Sequence, residues 1–211
     1  MDGVITDTAE FHYIAWKKLA DEKGWEFDRE VNERLRGVSR LASLDIIAHH
    51  NGVNLDEEEL LELADKKNRI YVESLNEISS DDYLPGAKQI LDDLKNEGFK
   101  IGLGSASKNS KNVLNKLGAL GYFDAIGDGH SVSNSKPAPD VFLYTSRELG
   151  LSPEECVVYE DAESGIDAAK TGGFHSVGIG PNDRVGHADV VFADMSEASV
   201  GAVKTHFKDL F

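Results

Sequence analysis

Residues 100–109 read KIGLGSASKN, and this stretch decides the fold class. Ile101 to Leu103 form a short apolar run that stops at small residues, and NSKNVLNKLGAL (109–120) continues at helical spacing. A short strand that is apolar on both faces and leads straight into a helix is half of a βαβ crossover. The unit recurs downstream. KPAPDVFLYTSRELG (136–150) predicts a helix, ECVVYEDA (155–162) a strand running into a loop, and ESGIDAAKTGG (163–173) another helix. FHSVGIG (174–180) and ADVVFAD (188–194) read as strands; LPGAKQILDDLKNEG (84–98) reads as a helix with Pro85 in its first turn and Gly98 at its end. Such alternation predicts a doubly wound, Rossmann-like α/β core on one parallel sheet, with the ligand site beyond the C-terminal strand ends.

Upstream the pattern changes. Phe11, Ile14, Ala15, Trp16 and Leu19 fall at helical spacing from Ala9 to about Glu22, and Gly24 stops the helix. Asp28 is expected to start a short helix ending near Gly37, and Ser39 or Arg40 to open a third through LASLDIIAHH (41–50). Asp56 is expected to cap a long charged helix containing LLELADKKNRIYVESL (60–75). No strand pattern interrupts 9–80. The predicted organisation is an α/β core of residues 1–8 and 81–211, with an all-α helical cap, residues 9–80, inserted after the first loop.

Bulk properties narrow the function. The 211 residues carry a formal net charge of −16, which disfavours nucleic acid and anionic lipid as partners. No apolar run approaches the roughly 20 residues of a membrane span, and no secretory pattern opens the chain. A single cysteine, Cys156, fits a reducing cytoplasm.

Four short loops carry the candidate chemistry. In DGVITDT (2–8), Asp2 precedes a glycine that lets backbone approach a ligand. GSASKN (104–109) places Ser105 and exposed N–H groups at a strand tip, a ready anion site. Glu160 and Asp161 end an apolar strand as adjacent carboxylates, which repel unless a cation intervenes; oxygen ligands suit Mg²⁺. Lys136, ahead of two prolines, is a fixed positive charge in a stiff loop. Taken singly, each has a plain reading as turn, cap or solvated surface. Together, at separate strand ends of one sheet, they outline a site for Mg²⁺ and a phosphoryl group.

That order of loops resembles the haloacid dehalogenase superfamily of phosphoryl-transfer enzymes, on its sugar-phosphate mutase side. DGVITDTAEFH, AWKKLA, ERLRGVSR, KKN with the tyrosine after it, LPG, SASKN, GYFDAI, SKPAPDVF and EDAESGI match in order and spacing across essentially the whole chain. The resemblance implies that Asp2 is the general acid–base and lends its carbonyl to Mg²⁺, with Glu160 and Asp161 as the metal acids. It implies that Ser105, Ala106 and Lys136 surround the transferring phosphate, and that Arg40, Ser107 and Asn109 hold the other one. Thr8 and His12 are expected to position Asp2, and Lys67 to face the substrate from the cap. Arg36 stands where close relatives tend to carry lysine, with an expected sugar contact. The family's nucleophilic aspartate is expected immediately before Met1, at the end of a strand in the middle of the sheet. The resemblance therefore expects a start assigned too late, and 211 residues that alone fold poorly or stay inactive. The implied activity is a monomeric, cytoplasmic phosphomutase interconverting β-glucose 1-phosphate and glucose 6-phosphate. The alternatives are a phosphatase of the same superfamily and a phosphosugar-binding protein without catalysis.

Overall fold

The computed structural model describes residues 1–36 and 38–210. Gly37, the expected end of the second cap helix, lies outside them, as does Phe211.

Four helices follow the opening loop: α1 (Ala9–Lys23), α2 (Arg29–Glu33), α3 (Arg40–His50) and α4 (Glu57–Ser74). Local chemistry sets their ends. Gly24, at φ 69°, closes α1 by returning its N–H to Ala20 and Asp21. The Asp28 carboxylate accepts the Val31 N–H, and the Ser39 hydroxyl accepts that of Ala42. Asp56 and Glu59 form a reciprocal capping box on α4. Each such cap contributes about 1 kcal/mol. Trp16, Leu19, Phe27, Val31, Leu44, Ile47 and Leu63 form an apolar cluster of the cap's own. Leu44 and Ile47 are fully enclosed, so truncating either to alanine would cost about 2–5 kcal/mol.

The remainder is α/β: α5 (Ala87–Asn96), β1 (Gly102–Gly104), α6 (Ser110–Lys116), β2 (Ala125–Gly127), α7 (Asp140–Leu149), β3 (Val157–Glu160), α8 (Glu163–Thr171), β4 (His175–Ile179), α9 (Asn182–Val185), β5 (Val190–Phe192) and α10 (Val200–His206). Every strand pairing is parallel, with Leu103 opposite Ile126, Tyr159 opposite Val177 and Gly178 opposite Val191. Two details differ from expectation. Pro85 lies just before α5, not inside it. Gly86 takes the N-cap at φ 82°, and a Cβ there would sit 2.5 Å from the Ser196 Cα. The strands also form two parallel sheets, β1–β2 and β3–β4–β5, where one was expected. Among the described residues no strand bonds to both β1 and β3. The two sheets are joined by a shared apolar cluster that includes Leu103, Val177 and Ile179 and by a lysine described below.

The two crossings between core and cap lie side by side. Thr6 and Tyr83 form an antiparallel bridge, the Thr6 hydroxyl donates to the Asp82 carbonyl at 2.7 Å, and the Leu84 N–H donates to the Ile5 carbonyl at 2.9 Å.

Candidate active site

Between the cap and the strand tips lies a cavity of about 550 Å³. Every residue proposed from sequence as a site residue lines it except Thr8, which stands directly behind Asp2.

The opening loop turns on Met1, whose carbonyl accepts the Ile5 N–H at 2.8 Å. Gly3 sits at φ +70°, and a Cβ on it would fall 2.0 Å from Asp161 Oδ2. Only glycine lets this loop lie against the metal acids. Asp2 accepts a short hydrogen bond from the fully buried Thr8 hydroxyl. Asp7, by contrast, spends its carboxylate on the Ala9 N–H at 2.9 Å, as a helix-start residue does.

At the tip of β1 the Ser105 N–H continues the ladder to the Gly127 carbonyl at 3.0 Å. The Ser105 hydroxyl accepts the Ser107 N–H, and the Ser107 hydroxyl accepts the Asn109 N–H, both at 3.1 Å. Each oxygen is held by backbone while its own hydrogen remains to be donated, the arrangement an incoming phosphate oxygen needs. Lys136 is buried; its ammonium pairs with Glu160 through a short contact and donates to the Gly104 carbonyl at 3.3 Å. This lysine ties the tip of β1 to the tip of β3.

Glu160 is anchored on both oxygens: Oε1 on Lys136, Oε2 on the N–H groups of Asp161 (2.8 Å) and Ala162 (3.0 Å). Burial pushes its carboxyl up, but Lys136, the N-terminal ammonium of Met1 and the Ala162 N–H together hold it below the usual range. Asp161 is less well compensated. Burial, then the Glu160 charge, push it up to about 6, with Arg36 Nη1 at 3.3 Å pulling the other way. The adjacent carboxylates are thus brought together as expected, and the cations acting on them are Lys136, the N-terminal ammonium, Arg36 and Arg184. Among the described residues no cluster of three or more metal-ligating side chains forms. The expected set needs only two carboxylates and a main-chain carbonyl. A carboxylate whose ionisation is opposed by burial and by its neighbour's charge is what a hard divalent cation relieves, so these residues fit Mg²⁺.

A pH signature follows. Asp161 carries a proton in the folded protein between its ordinary 3.8 and about 6. Stability contributed by that group is present below this window and lost as pH rises through it. Mg²⁺ should therefore raise the melting temperature clearly at pH 7 and little at pH 5. Equal shifts at both would count against Asp161 as a ligand.

The cap supplies the opposite wall. Lys67 is buried, with Nζ 2.7 Å from His12 Nδ1 and 4.6 Å from the centre of the Trp16 ring. Burial and the Arg40 charge push Lys67 well down; burial, Lys67 and Arg40 push His12 down in turn. Two adjoining basic groups that resist charging are poised for an anion to arrive. Arg40, the first residue of α3, is half-buried; burial lowers it, while Asp65 and Tyr71 support its charge. Arg36 meets Glu33 at 2.8 Å and Asp161 across the cleft, so its observed partners are carboxylates.

Sequence reasoning gave no role to two residues of KKN and its following tyrosine. The Asn68 amide oxygen accepts the Asn109 side-chain N–H at 2.8 Å, joining cap to core. Tyr71 stacks on His12 with ring centres 4.0 Å apart and planes at 24°. Its hydroxyl is buried and makes no hydrogen bond among the described residues, a state that costs about 1–3 kcal/mol. The spacing held the signal: Lys67 and Tyr71 stand four apart, on one face of α4.

Comparison with known proteins agrees with this geometry. Residues 1–179 match the family model of the haloacid dehalogenase-like hydrolases. The β-phosphoglucomutase of Bacillus subtilis is 41% identical over 205 residues, covering 95% of this chain and 89% of that protein. The crystal structure of β-phosphoglucomutase from Clostridium difficile superimposes with a TM-score of 0.95 at 41% identity, covering 99% of this chain and 94% of the other. The fructose-1-phosphate phosphatase of Escherichia coli is 32% identical over 183 residues, 85% of this chain and 93% of its own.

Proposed function

The chain belongs to the haloacid dehalogenase-like hydrolase family and groups with its β-phosphoglucomutases, and from that premise we propose that it interconverts β-glucose 1-phosphate and glucose 6-phosphate with Mg²⁺. The observation that carries this reading is one cavity with two anion-receiving walls. Ser105 and Lys136 line it from the core, Arg40 and Lys67 from the cap. A phosphatase needs one phosphate site; a mutase that turns over a sugar bisphosphate needs two.

In this reading Asp2 takes a proton from the sugar hydroxyl and returns it. The residues of this chain carry the acid–base, phosphate-binding and metal-holding parts of that reaction. Ser105, the Ala106 backbone and Lys136 neutralise the transferring group, while Arg40, Ser107 and Asn109 hold the second phosphate. Asp161, Glu160 and the Asp2 carbonyl hold Mg²⁺, which would supply charge neutralisation at the phosphoryl oxygens. Thr8 and His12 keep Asp2 and Lys67 in place. Arg36 closes on Asp161 and reaches the sugar from there. The cap, 9–80, acts as a lid over the core of 1–8 and 81–211, excluding water from the intermediate. The apolar cluster peculiar to the cap supports that division.

By the same family resemblance it acts as a monomer on small phosphosugars in the cytoplasm; among the described residues no helix is long and apolar enough to cross a membrane. The test is a coupled assay on β-glucose 1-phosphate with the full-length gene product. Glucose 6-phosphate formation primed by glucose 1,6-bisphosphate is expected. Phosphate release without isomerisation would identify a phosphatase, and binding without turnover a phosphosugar-binding protein.

A further inference from the structure

Several helices of this chain are capped by their own first side chain: Asp28, Ser39, Asp56 and Ser199 each accept an N–H of the helix that they open. Asn109 opens α6 and makes no such bond, although asparagine is among the residues best suited to it. Its side chain has another use. Nδ2 of Asn109 reaches across the cleft and donates to Oδ1 of Asn68, on α4 of the cap, at 2.8 Å. The Asn109 backbone is fixed separately, its N–H held by the Ser107 hydroxyl at 3.1 Å. Both asparagines line the cavity. Among the described residues neither side-chain amide makes a second hydrogen bond.

An asparagine amide has a donating end and an accepting end, and a phosphate oxygen takes only the donor. Left to swing, Asn109 would turn its own oxygen toward a phosphate as readily as its N–H. The Asn68 oxygen can pair only with the NH₂ end, so it selects between the two. That nitrogen carries two hydrogens, and one remains for a ligand. We infer that Asn68 is a positioning residue for the second phosphate, its amide oxygen holding Asn109 so that an N–H is left to donate into the cavity. Asn68 belongs to the cap and Asn109 to the core, so the bond exists only where the two meet. The second phosphate site is therefore complete only under a closed cap. The inference rests on the assignment of Asn109 to that phosphate above and adds the residue that orients it.

The experiment is Asn68→Leu, which keeps the bulk and removes the acceptor, in the full-length gene product, alone and combined with Asn109→Ala. Asn68→Ala is measured beside it, so that a clash from the leucine cannot be mistaken for the effect. Either single variant should melt close to the wild type and raise KM for β-glucose 1-phosphate roughly fivefold, the worth of about one hydrogen bond. Its kcat should be unchanged, because the distal phosphate is bound alike in ground and transition states. Asn109→Ala alone should raise KM at least as much, and adding Asn68→Leu to it should change nothing further. An unchanged KM, a loss confined to kcat, or independent losses that multiply in the double variant would each overturn the inference while wild-type turnover stands. A wild type that does not turn over β-glucose 1-phosphate counts against the functional reading and takes the inference with it.

Discussion

Replacing Asp2 with asparagine should lower mutase turnover by about 10²–10⁴-fold and barely disturb the fold. Asparagine is nearly isosteric, and its amide oxygen can still accept the Thr8 hydroxyl that Asp2 accepts here. What it cannot do is carry a proton at neutral pH. If Asp2 were only a turn residue beside Gly3, the change would lower stability slightly and leave turnover intact. The decisive comparison is kcat against KM: the loss should fall on kcat, because the proton moves only in the transition state. A kcat within a factor of a few of wild type would remove Asp2 from the acid–base role.

The second large effect belongs to Lys136. Its ammonium and the Glu160 carboxylate are 5% and 9% exposed, and they pair across the ends of two different sheets. Lys136→Met leaves Glu160 buried without a counter-charge, which costs about 3–5 kcal/mol against a total stability of about 5–15 kcal/mol. Lys136 holds the Glu160 carboxyl below its usual range against the push of burial. The pair's contribution is thus present above that range and lost as pH falls through it. In Lys136→Met burial is opposed only by the backbone N–H groups and the N-terminal ammonium, so the deficit in urea unfolding should be large at pH 7 and smaller at pH 5. Adding Glu160→Gln should recover most of the stability and none of the turnover, since both the ammonium and a proposed Mg²⁺ ligand are then absent. A double variant with restored activity would reduce Lys136 to a structural role.

What the sequence disclosed follows the range of the interactions involved. Asp28, Ser39 and Asp56 were legible as helix starts because each side chain caps an N–H three residues away. The strands at 102–104 and 157–160 were legible from a short apolar run meeting a small or acidic tip. The short helices α9 and α10, of four and seven residues, were not read from the sequence. The Arg36–Asp161 contact joins positions 125 residues apart, and the Asn109–Asn68 bond spans 41. No local pattern encodes either, because each exists only once the cap has settled on the core. The division into two sheets depends on the same long-range assembly.

The paired crossings at Thr6 and Tyr83 have a mechanical meaning. Thr8 immediately precedes α1, the first helix of the cap, yet its hydroxyl grips Asp2 on the core side of the crossing. Any swing of α1 about this hinge must drag Asp2 along or break that grip. On the acid–base reading of Asp2, such a swing would carry the proton carrier with it, gearing catalysis to the door.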